Sequence, residues 1–164
     1  MTQLKIFEIF YSLQGESSRM GLPTIFIRLS GCPMRCHYCD TAYAFQGGSM
    51  MSIEDIMASI KQYDTRYVTV TGGEPLGQKE VIHLLKTLAD SNYEVSLETG
   101  GGLSIKEVDP RIKIILDIKT PESGEETKNY WENLDMISAK DEIKFVLCSR
   151  EDYDWAKKIL DQYK

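Results

Sequence analysis

The sequence predicts an α/β protein: a partial, open (β/α) barrel with about six mainly parallel strands. Strand-like and helix-like segments alternate along the chain, as they do in βα units that build a parallel sheet. Glycine-rich turns end two of the strand-like segments, at the carboxyl ends where such sheets bind their ligands. The chain has 164 residues. A complete eight-stranded barrel takes about 250 residues, so this one is expected to be incomplete.

Two strand-like segments rich in β-branched and aromatic residues open the chain, at residues 6–11 and 24–29. A loop that carries three cysteines follows them. The first helix is predicted to begin after Ser52, which is placed to cap it, with Asp55 in a capping-box-like position. Apolar residues at helical spacing give this helix one buried stripe: Ile53, Ile56, Met57 and Ile60.

The second half of the chain repeats the strand–helix order. A strand at 67–71 leads into a helix at about 79–90, and further strands are predicted at 94–99, 113–118 and 142–147. Ser149 is predicted to cap the last helix, with Asp152 three residues on. That helix is expected to bury Trp155, Ile159 and Leu160. Residues 120–128 are rich in Pro, Gly and Glu and are predicted to form a surface loop.

The composition limits the class of protein. No apolar run reaches the roughly 18 residues of a membrane span, and the first residues lack the apolar core of a signal peptide. We therefore expect a cytoplasmic protein with no membrane partner, and cysteines grouped in one loop fit that reducing compartment. The net charge is −6 and no block of Lys or Arg occurs. This pattern argues against direct binding of nucleic acid.

Cys32, Cys36 and Cys39 have the spacing C-x3-C-x2-C within one short loop. A cubane iron–sulfur cluster holds four irons, usually one thiolate to each. Three thiolates therefore leave one iron open to another ligand. A structural zinc site needs a closed set of four ligands, and the remaining cysteine, Cys148, lies far along the chain. The spacing favours a 4Fe-4S cluster with an open iron over zinc.

The turn Gly72-Gly73-Glu74-Pro75 follows the strand at 67–71. Glycines there allow close approach of backbone to a ligand, although the motif by itself is typical of an ordinary βα turn. Together with the cysteine loop it resembles the radical S-adenosylmethionine (SAM) superfamily. The resemblance implies that SAM chelates the open iron through its amino and carboxylate groups. An electron from the cluster then cleaves SAM to methionine and a 5′-deoxyadenosyl radical.

A closer resemblance, to the 7-carboxy-7-deazaguanine synthase family, covers about residues 6–147 of this chain. It rests on six segments: 9–16, reading Ile-Phe-Tyr-Ser-Leu-Gln-Gly-Glu; 26–32; Cys39-Asp40-Thr41; 69–75; Leu97-Glu98-Thr99; and 117–124. The Leu-Gln-Gly-Glu entry combined with Cys-Asp-Thr is the specific part of the match. Other branches that share the cysteine spacing usually lack both.

The resemblance implies a lyase of queuosine and 7-deazapurine biosynthesis. Its small-molecule substrate is 6-carboxy-5,6,7,8-tetrahydropterin, which loses ammonia to give 7-carboxy-7-deazaguanine while SAM is regenerated. Mg²⁺ is the further cofactor, a flavodoxin- or ferredoxin-type protein is the electron donor, and the enzyme is a homodimer. Two alternatives remain open at this point. The first is a glycyl-radical enzyme activating protein, which shares the cysteine loop. The second is a structural zinc-binding module, which catalyses no reaction.

The resemblance also assigns roles to residues. Cys32, Cys36 and Cys39 hold the cluster, and Thr41 offers its hydroxyl to Mg²⁺. SAM is bound by Tyr38, Asp40, Gly73, Asp117, Ile118 and Lys119. The substrate is bound by Leu13, Gln14, Gly15, Arg28 and Thr71. Glu98 is the catalytic residue, which binds the amino edge of the pterin or takes a proton when the new ring becomes aromatic.

From the residues alone, other roles are open for two of these positions. Thr41 is typical of a turn, and Arg28, near the end of an apolar strand, would serve equally in a structural salt bridge. Three departures from the family pattern also appear: Gly100 stands where Asn is expected, Ser17 where Gly is expected, and the family extends some tens of residues further. We therefore expect one radical SAM domain at 1–164 that lacks the family's C-terminal tail.

Overall fold

The computed structural model describes residues 2–163 and contains one mixed sheet. Its seven strands are β1 Gln3–Leu13, β2 Pro23–Leu29, β3 Ser49–Ser52, β4 Tyr67–Gly72, β5 Glu94–Thr99, β6 Lys113–Asp117 and β7 Glu142–Lys144. Three α-helices accompany them: α1 Ile53–Ile60, α2 Val81–Asp90 and α3 Arg150–Gln162. No helix in this part of the chain has the length and apolar character that a membrane span requires.

The strands lie in the order β3-β1-β2-β4-β5-β6-β7, so the sheet has two free edges and the barrel is open. Pairing is parallel from β2 through β7, whereas β1 is antiparallel to both β2 and β3. The predicted open barrel of mainly parallel strands is therefore confirmed. The additional strand, β3, has only four residues, which is too short for a period of two to identify it in the sequence.

One face of the sheet packs under α1 and α2 and forms the main apolar core. Val68 and Val70 of β4, and Val95 and Leu97 of β5, point into this core. The residues between them on the same strands point to the opposite face, and several are polar: Thr69, Thr71, Ser96 and Glu98. A parallel strand covered by apolar layers on both faces reads as a continuous apolar run. The alternation here means that the second face is a polar interior.

Both predicted helix caps are confirmed. The Ser52 side chain accepts a hydrogen bond from the amide of Asp55 at 3.0 Å, and Ser149 accepts one from the amide of Asp152 at 3.1 Å. The predicted burial of Leu160 is wrong, because this side chain on α3 is 45% exposed.

The predicted strand at 142–147 is shorter than expected, because β7 ends at Lys144. Its partner β6 ends at Asp117, so residues beyond Lys144 have no strand with which to continue the ladder of backbone hydrogen bonds. The residues beyond Lys144 leave the sheet. Phe145 packs in a second apolar cluster instead, and the carbonyl of Val146 accepts a bond from the Thr120 hydroxyl at 3.0 Å.

Asp152 fastens α3 to the loop that follows β6. Its carboxylate is fully buried and accepts hydrogen bonds from the amides of Glu122 at 3.1 Å and Cys148 at 2.9 Å. Burial alone would raise the pKa of Asp152, but these amide bonds outweigh it and the pKa lies below its ordinary value. The charged form of this side chain therefore stabilises the fold.

We expect Asp152→Ala to lower the free energy of unfolding by about 2–4 kcal/mol, because two part-buried amides lose a charged, buried acceptor. The matched control is Asp154→Ala on the same helix, whose exposed ion pair with Arg150 is worth about 0–1 kcal/mol. Urea unfolding of the three proteins measures the difference. Because the folded pKa of Asp152 is lowered, its contribution is full above about pH 4 and disappears as the pH falls through the folded pKa. Equal stabilities of the two variants would contradict this role.

Candidate active site

A cavity of about 490 Å³ lies at the carboxyl ends of the parallel strands. Its volume is that of a small-molecule site. All the predicted site residues line its wall except Leu13 and Ile118. The Leu13 side chain is 62% exposed at the end of β1, and Ile118 is buried in the second apolar cluster. Any contact of these two residues with a ligand in the cavity is therefore confined to their backbone.

The cysteine loop covers one end of the cavity and is held there by residues 120–128. The amide of His37 donates to the Ser123 carbonyl at 3.0 Å, and the amide of Arg35 donates to the Glu125 carboxylate at 2.6 Å. The His37 ring packs against Gly124, where a Cβ would come within 2.8 Å of it. The prediction of a surface loop at 120–128 holds for most of the segment, although Thr120, Ser123 and Glu125 are buried.

The thiols of Cys32, Cys36 and Cys39 are free, and all three residues line the cavity. Burial raises the pKa of the Cys32 and Cys36 thiols, a cost that a bound cation offsets. Within residues 2–163, no three His, Cys, Asp or Glu side chains are grouped to hold a single metal ion. A cubane cluster instead takes each thiolate on a separate iron. Cys148 is exposed and lies outside the cavity wall, so the ligand set fits a cluster with an open iron.

Gly73 lies against the cysteine loop. A Cβ on Gly73 would overlap the Gly31 carbonyl and would come within 2.8 Å of the Cys32 Cβ. The amide of Glu74 donates to that same Gly31 carbonyl at 2.9 Å. The glycine is therefore required by packing alone, because it lets the end of β4 and the cysteine loop meet on the cavity wall.

Glu74 is a cavity residue that the predicted site did not include. Its side chain is 1% exposed and accepts hydrogen bonds from the amides of Leu76 at 2.9 Å and Gly100 at 2.7 Å, and from the Thr99 hydroxyl. Burial nevertheless raises the pKa of Glu74, and these bonds oppose that rise. The bonds tie the end of β4 to the end of β5. The position of Glu74 in the glycine turn at the end of a strand was the sequence signal that could have identified it as a site residue.

Tyr38, Asp117 and Lys119 form a polar wall beside the cysteines. The Lys119 ammonium pairs with Asp117 Oδ2 at 2.9 Å and lies 5.8 Å from the centroid of the Tyr38 ring. In the part of the chain that the structure describes, Tyr38 OH and Asp117 Oδ1 are buried without a hydrogen-bond partner. Buried polar atoms of this kind require partners. A ligand rich in hydroxyl and amino groups, such as SAM, fits this wall.

Gln14, Thr71 and Glu98 form a second hydrogen-bonded group on the cavity wall. The Gln14 amide nitrogen donates to Thr69 Oγ1 at 3.1 Å and to Glu98 Oε1 at 3.2 Å. Burial, followed by the negative charge of Glu16, raises the pKa of Glu98, and hydrogen bonds from Thr71 and Gln14 oppose the rise. A buried carboxylate with a raised pKa is suited to take a proton.

Arg28 forms the salt bridge that the sequence left open and also lies on the cavity wall. Its Nε donates to Glu8 Oε1 at 2.8 Å, and its guanidinium lies near the rings of Phe10 and Tyr43. The same residue lines the cavity. The bond to Glu8 uses one of five N–H donors of the guanidinium, so the salt bridge orients a side chain that can still bind a carboxylate.

Thr41 lines the cavity directly after the last cysteine of the loop. Its hydroxyl donates to Asp40 Oδ1 at 3.1 Å and lies 3.9 Å from Cys39 Sγ. A hydroxyl and a carboxylate are hard oxygen donors, and Mg²⁺ typically takes one or two of these while it keeps several waters. The donor set therefore fits Mg²⁺ next to the cysteines.

Glu16 and Lys144 also line the cavity and were missed in the sequence. They form an ion pair of 2.7 Å between the loop after β1 and the end of β7. The two residues lie 128 positions apart. Sequence patterns over a few neighbouring residues do not predict contacts between positions so far apart. The sequence therefore contained no signal for this ion pair.

Comparison with known proteins identifies the family. The model of the radical SAM superfamily matches residues 26–164. A 7-carboxy-7-deazaguanine synthase from Chlorobaculum tepidum is 46% identical over 160 residues, which cover 96% of this chain and 73% of that protein. One from Koribacter versatilis is 42% identical over 162 residues, covering 98% and 72%. The crystal structure of QueE from Escherichia coli superposes with a TM-score of 0.82 at 28% identity, over 98% of this chain and 79% of that one.

The family model covers most of the chain, the identities hold over nearly its whole length, and the solved structure superposes over 98% of the chain. The chain therefore belongs to the 7-carboxy-7-deazaguanine synthase family of the radical SAM superfamily.

Proposed function

We propose that this chain is a radical SAM lyase that converts 6-carboxy-5,6,7,8-tetrahydropterin to 7-carboxy-7-deazaguanine with loss of ammonia. The observation that carries the proposal is one cavity whose wall combines two chemically different groups of residues. Three free thiols line it, and so do the polar side chains of Arg28, Gln14 and Glu98. The same cavity can therefore hold both the cofactor and a small polar substrate.

Cys32, Cys36 and Cys39 hold the 4Fe-4S cluster, and the polar wall of Tyr38 and Asp117 faces SAM. When bound, the cluster and SAM supply the one-electron chemistry that removes a hydrogen atom from the substrate carbon bearing the carboxylate. The residues of this chain orient the two molecules and exclude water. The buried Lys119–Asp117 pair supports this role, because it holds both side chains in fixed positions on the wall.

Arg28 binds the substrate carboxylate, with Mg²⁺ held beside it by Thr41. A planar guanidinium matches a carboxylate in a bidentate manner, and the Glu8 bond fixes its direction. Gln14 and Glu98 bind the amino edge of the pterin. As the new ring becomes aromatic, a C–H bond of the substrate breaks, its electron pair enters the ring, and the Glu98 carboxylate accepts the proton.

The proposal extends to the surroundings of the enzyme. Reduction of the cluster calls for an external donor of the flavodoxin or ferredoxin type, in a reducing cytoplasm. We also propose a homodimer. Exposed apolar side chains at Leu13, Met20 and Met50 supply surface for such contacts.

The test is anaerobic reconstitution with iron and sulfide, followed by incubation with SAM, dithionite, Mg²⁺ and the carboxytetrahydropterin. Mass spectrometry should detect carboxydeazaguanine in excess of the SAM supplied. Cys36→Ala should abolish both the cluster absorbance and the product, whereas Cys148→Ala, outside the cavity, should retain both. Formation of 5′-deoxyadenosine alone would overturn the substrate assignment.

We expect Arg28→Lys to raise KM for the substrate by about 10–100-fold, because a hydrogen bond to a charged group is worth about 1.5–3 kcal/mol. Steady-state kinetics measure the change. Arg19→Lys is the matched control. Its side chain is 15% exposed against 14% for Arg28, and it also pairs with a glutamate, but it does not line the cavity. A KM for Arg28→Lys that matches this control would remove Arg28 from the substrate site.

We expect the rate to fall at low pH as Glu98 becomes protonated. The proton acceptor must be a carboxylate, and burial raises the pKa of Glu98 above its ordinary value of about 4.3. The acid limb of kcat/KM should therefore lie above that of an ordinary glutamate. Glu98→Gln should remove this limb and lower kcat by about 10²–10⁴-fold. Glu94→Gln, on the same strand but outside the cavity, is the control. An acid limb that survives in Glu98→Gln would exclude this role.

A further inference from the structure

The Glu16–Lys144 ion pair stands on the cavity wall on the side of Glu98. Its two charged atoms are 2.7 Å apart, and the side chains are 41% and 34% exposed. Ion pairs of such exposure contribute little to stability. Their location in the cavity, and not their contribution to the fold, is therefore what requires an explanation.

Gln14 connects this ion pair to Glu98. Its Nε2 donates to Glu98 Oε1, and its Oε1 accepts from the amides of Gly15 at 2.9 Å and Glu16 at 3.4 Å. One buried side chain therefore fixes both the carboxylate of Glu98 and the backbone that carries Glu16. Lys144 completes the arrangement from β7, at the far end of the sheet order.

The two charges act on Glu98 in opposite directions. The negative Glu16 raises the pKa of Glu98, and the positive Lys144 lowers it. Other charged residues on the cavity wall keep their partners when this pair is changed: Arg28 with Glu8, Lys119 with Asp117, and Glu74 with the amides of Leu76 and Gly100. Asp40 likewise keeps its hydrogen bond from the Thr41 hydroxyl. The ion pair can thus be altered separately from the rest of the wall.

We propose that Glu16 and Lys144 are positioning residues for Glu98, which hold opposite charges on one side of its carboxylate and so set how readily it takes up the proton that the substrate releases. The inference rests on the proposed function, since Glu98 must be the proton acceptor. It assigns a catalytic purpose to a contact between the loop after β1 and the end of β7. Opening of that contact would change the chemistry of Glu98 as well as the shape of the cavity.

The test is the pH profile of kcat/KM in Glu16→Gln, Lys144→Met and the double variant. Glu16→Gln removes a negative charge, so the acid limb should move to lower pH. Lys144→Met removes a positive charge, so the limb should move to higher pH. Each shift should be about 0.3–1 pH unit at low salt and smaller at high salt. The double variant should return close to the parent profile. A pair that only fastened the loop would lower activity in both variants without moving the limb in opposite directions.

A second readout does not depend on turnover. Carbon-13 NMR of protein labelled at glutamate side chains, with Glu98→Gln to assign the signal, should show the same opposite displacements in the titration of Glu98. The controls are Lys113→Met and Glu142→Gln, which break an ion pair on β6 and β7 outside the cavity wall. A titration of Glu98 that neither Glu16→Gln nor Lys144→Met moves overturns the inference. An acid limb that persists in Glu98→Gln instead overturns the part of the proposed function on which the inference rests, the role of Glu98 as proton acceptor.

Discussion

The site depends on the close approach of two backbones, at Gly73 and Gly31. The end of β4 passes so near the cysteine loop that no side chain fits at Gly73, and the amide of Glu74 donates to the Gly31 carbonyl across the contact. This contact carries the cysteines to the carboxyl ends of the strands. It also points the Glu74 side chain inward, where its carboxylate accepts a hydrogen bond from the amide of Gly100. The end of β4, the end of β5 and the cysteine loop are thereby fixed together.

The polar inner face of the sheet is the second feature that constrains the sequence. Thr69 and Ser96 share a hydrogen bond of 2.9 Å on the inner face of β4 and β5, while Val70 and Leu97 fill the outer core. An interior with hydroxyl and amide groups satisfies its own polar atoms only while its strands stay in register. Apolar and polar residues alternate along β4 and β5. This alternation forms the apolar core on one face of the sheet and the polar interior on the other.

The sequence allowed most of the fold and the composition of the site to be predicted, because both rest on local patterns. The caps at Ser52 and Ser149, the apolar stripes and the cysteine spacing each involve residues close together in the chain. Contacts between distant segments could not be predicted in this way. Composition predicts an exposed loop at 120–128, yet Ser123 and Glu125 in it are buried and bond to the cysteine loop. Glu16 and Lys144 meet only through the sheet order. Leu160 follows the helical spacing of a buried stripe but is 45% exposed.

The fastening of the cysteine loop has a consequence for the order of events during synthesis. Residues 32–39 leave the ribosome early, but the segment that holds them, at 120–128, is made much later, and Asp152 fixes that segment from α3. A contact between two such segments can form only after both have been synthesised. The cysteine loop therefore gains its bonds to Ser123 and Glu125 only once residues 120–128 have been made, and the bond from the Glu122 amide to Asp152 follows with α3. Until then, the three thiols lack the contacts that fix their arrangement.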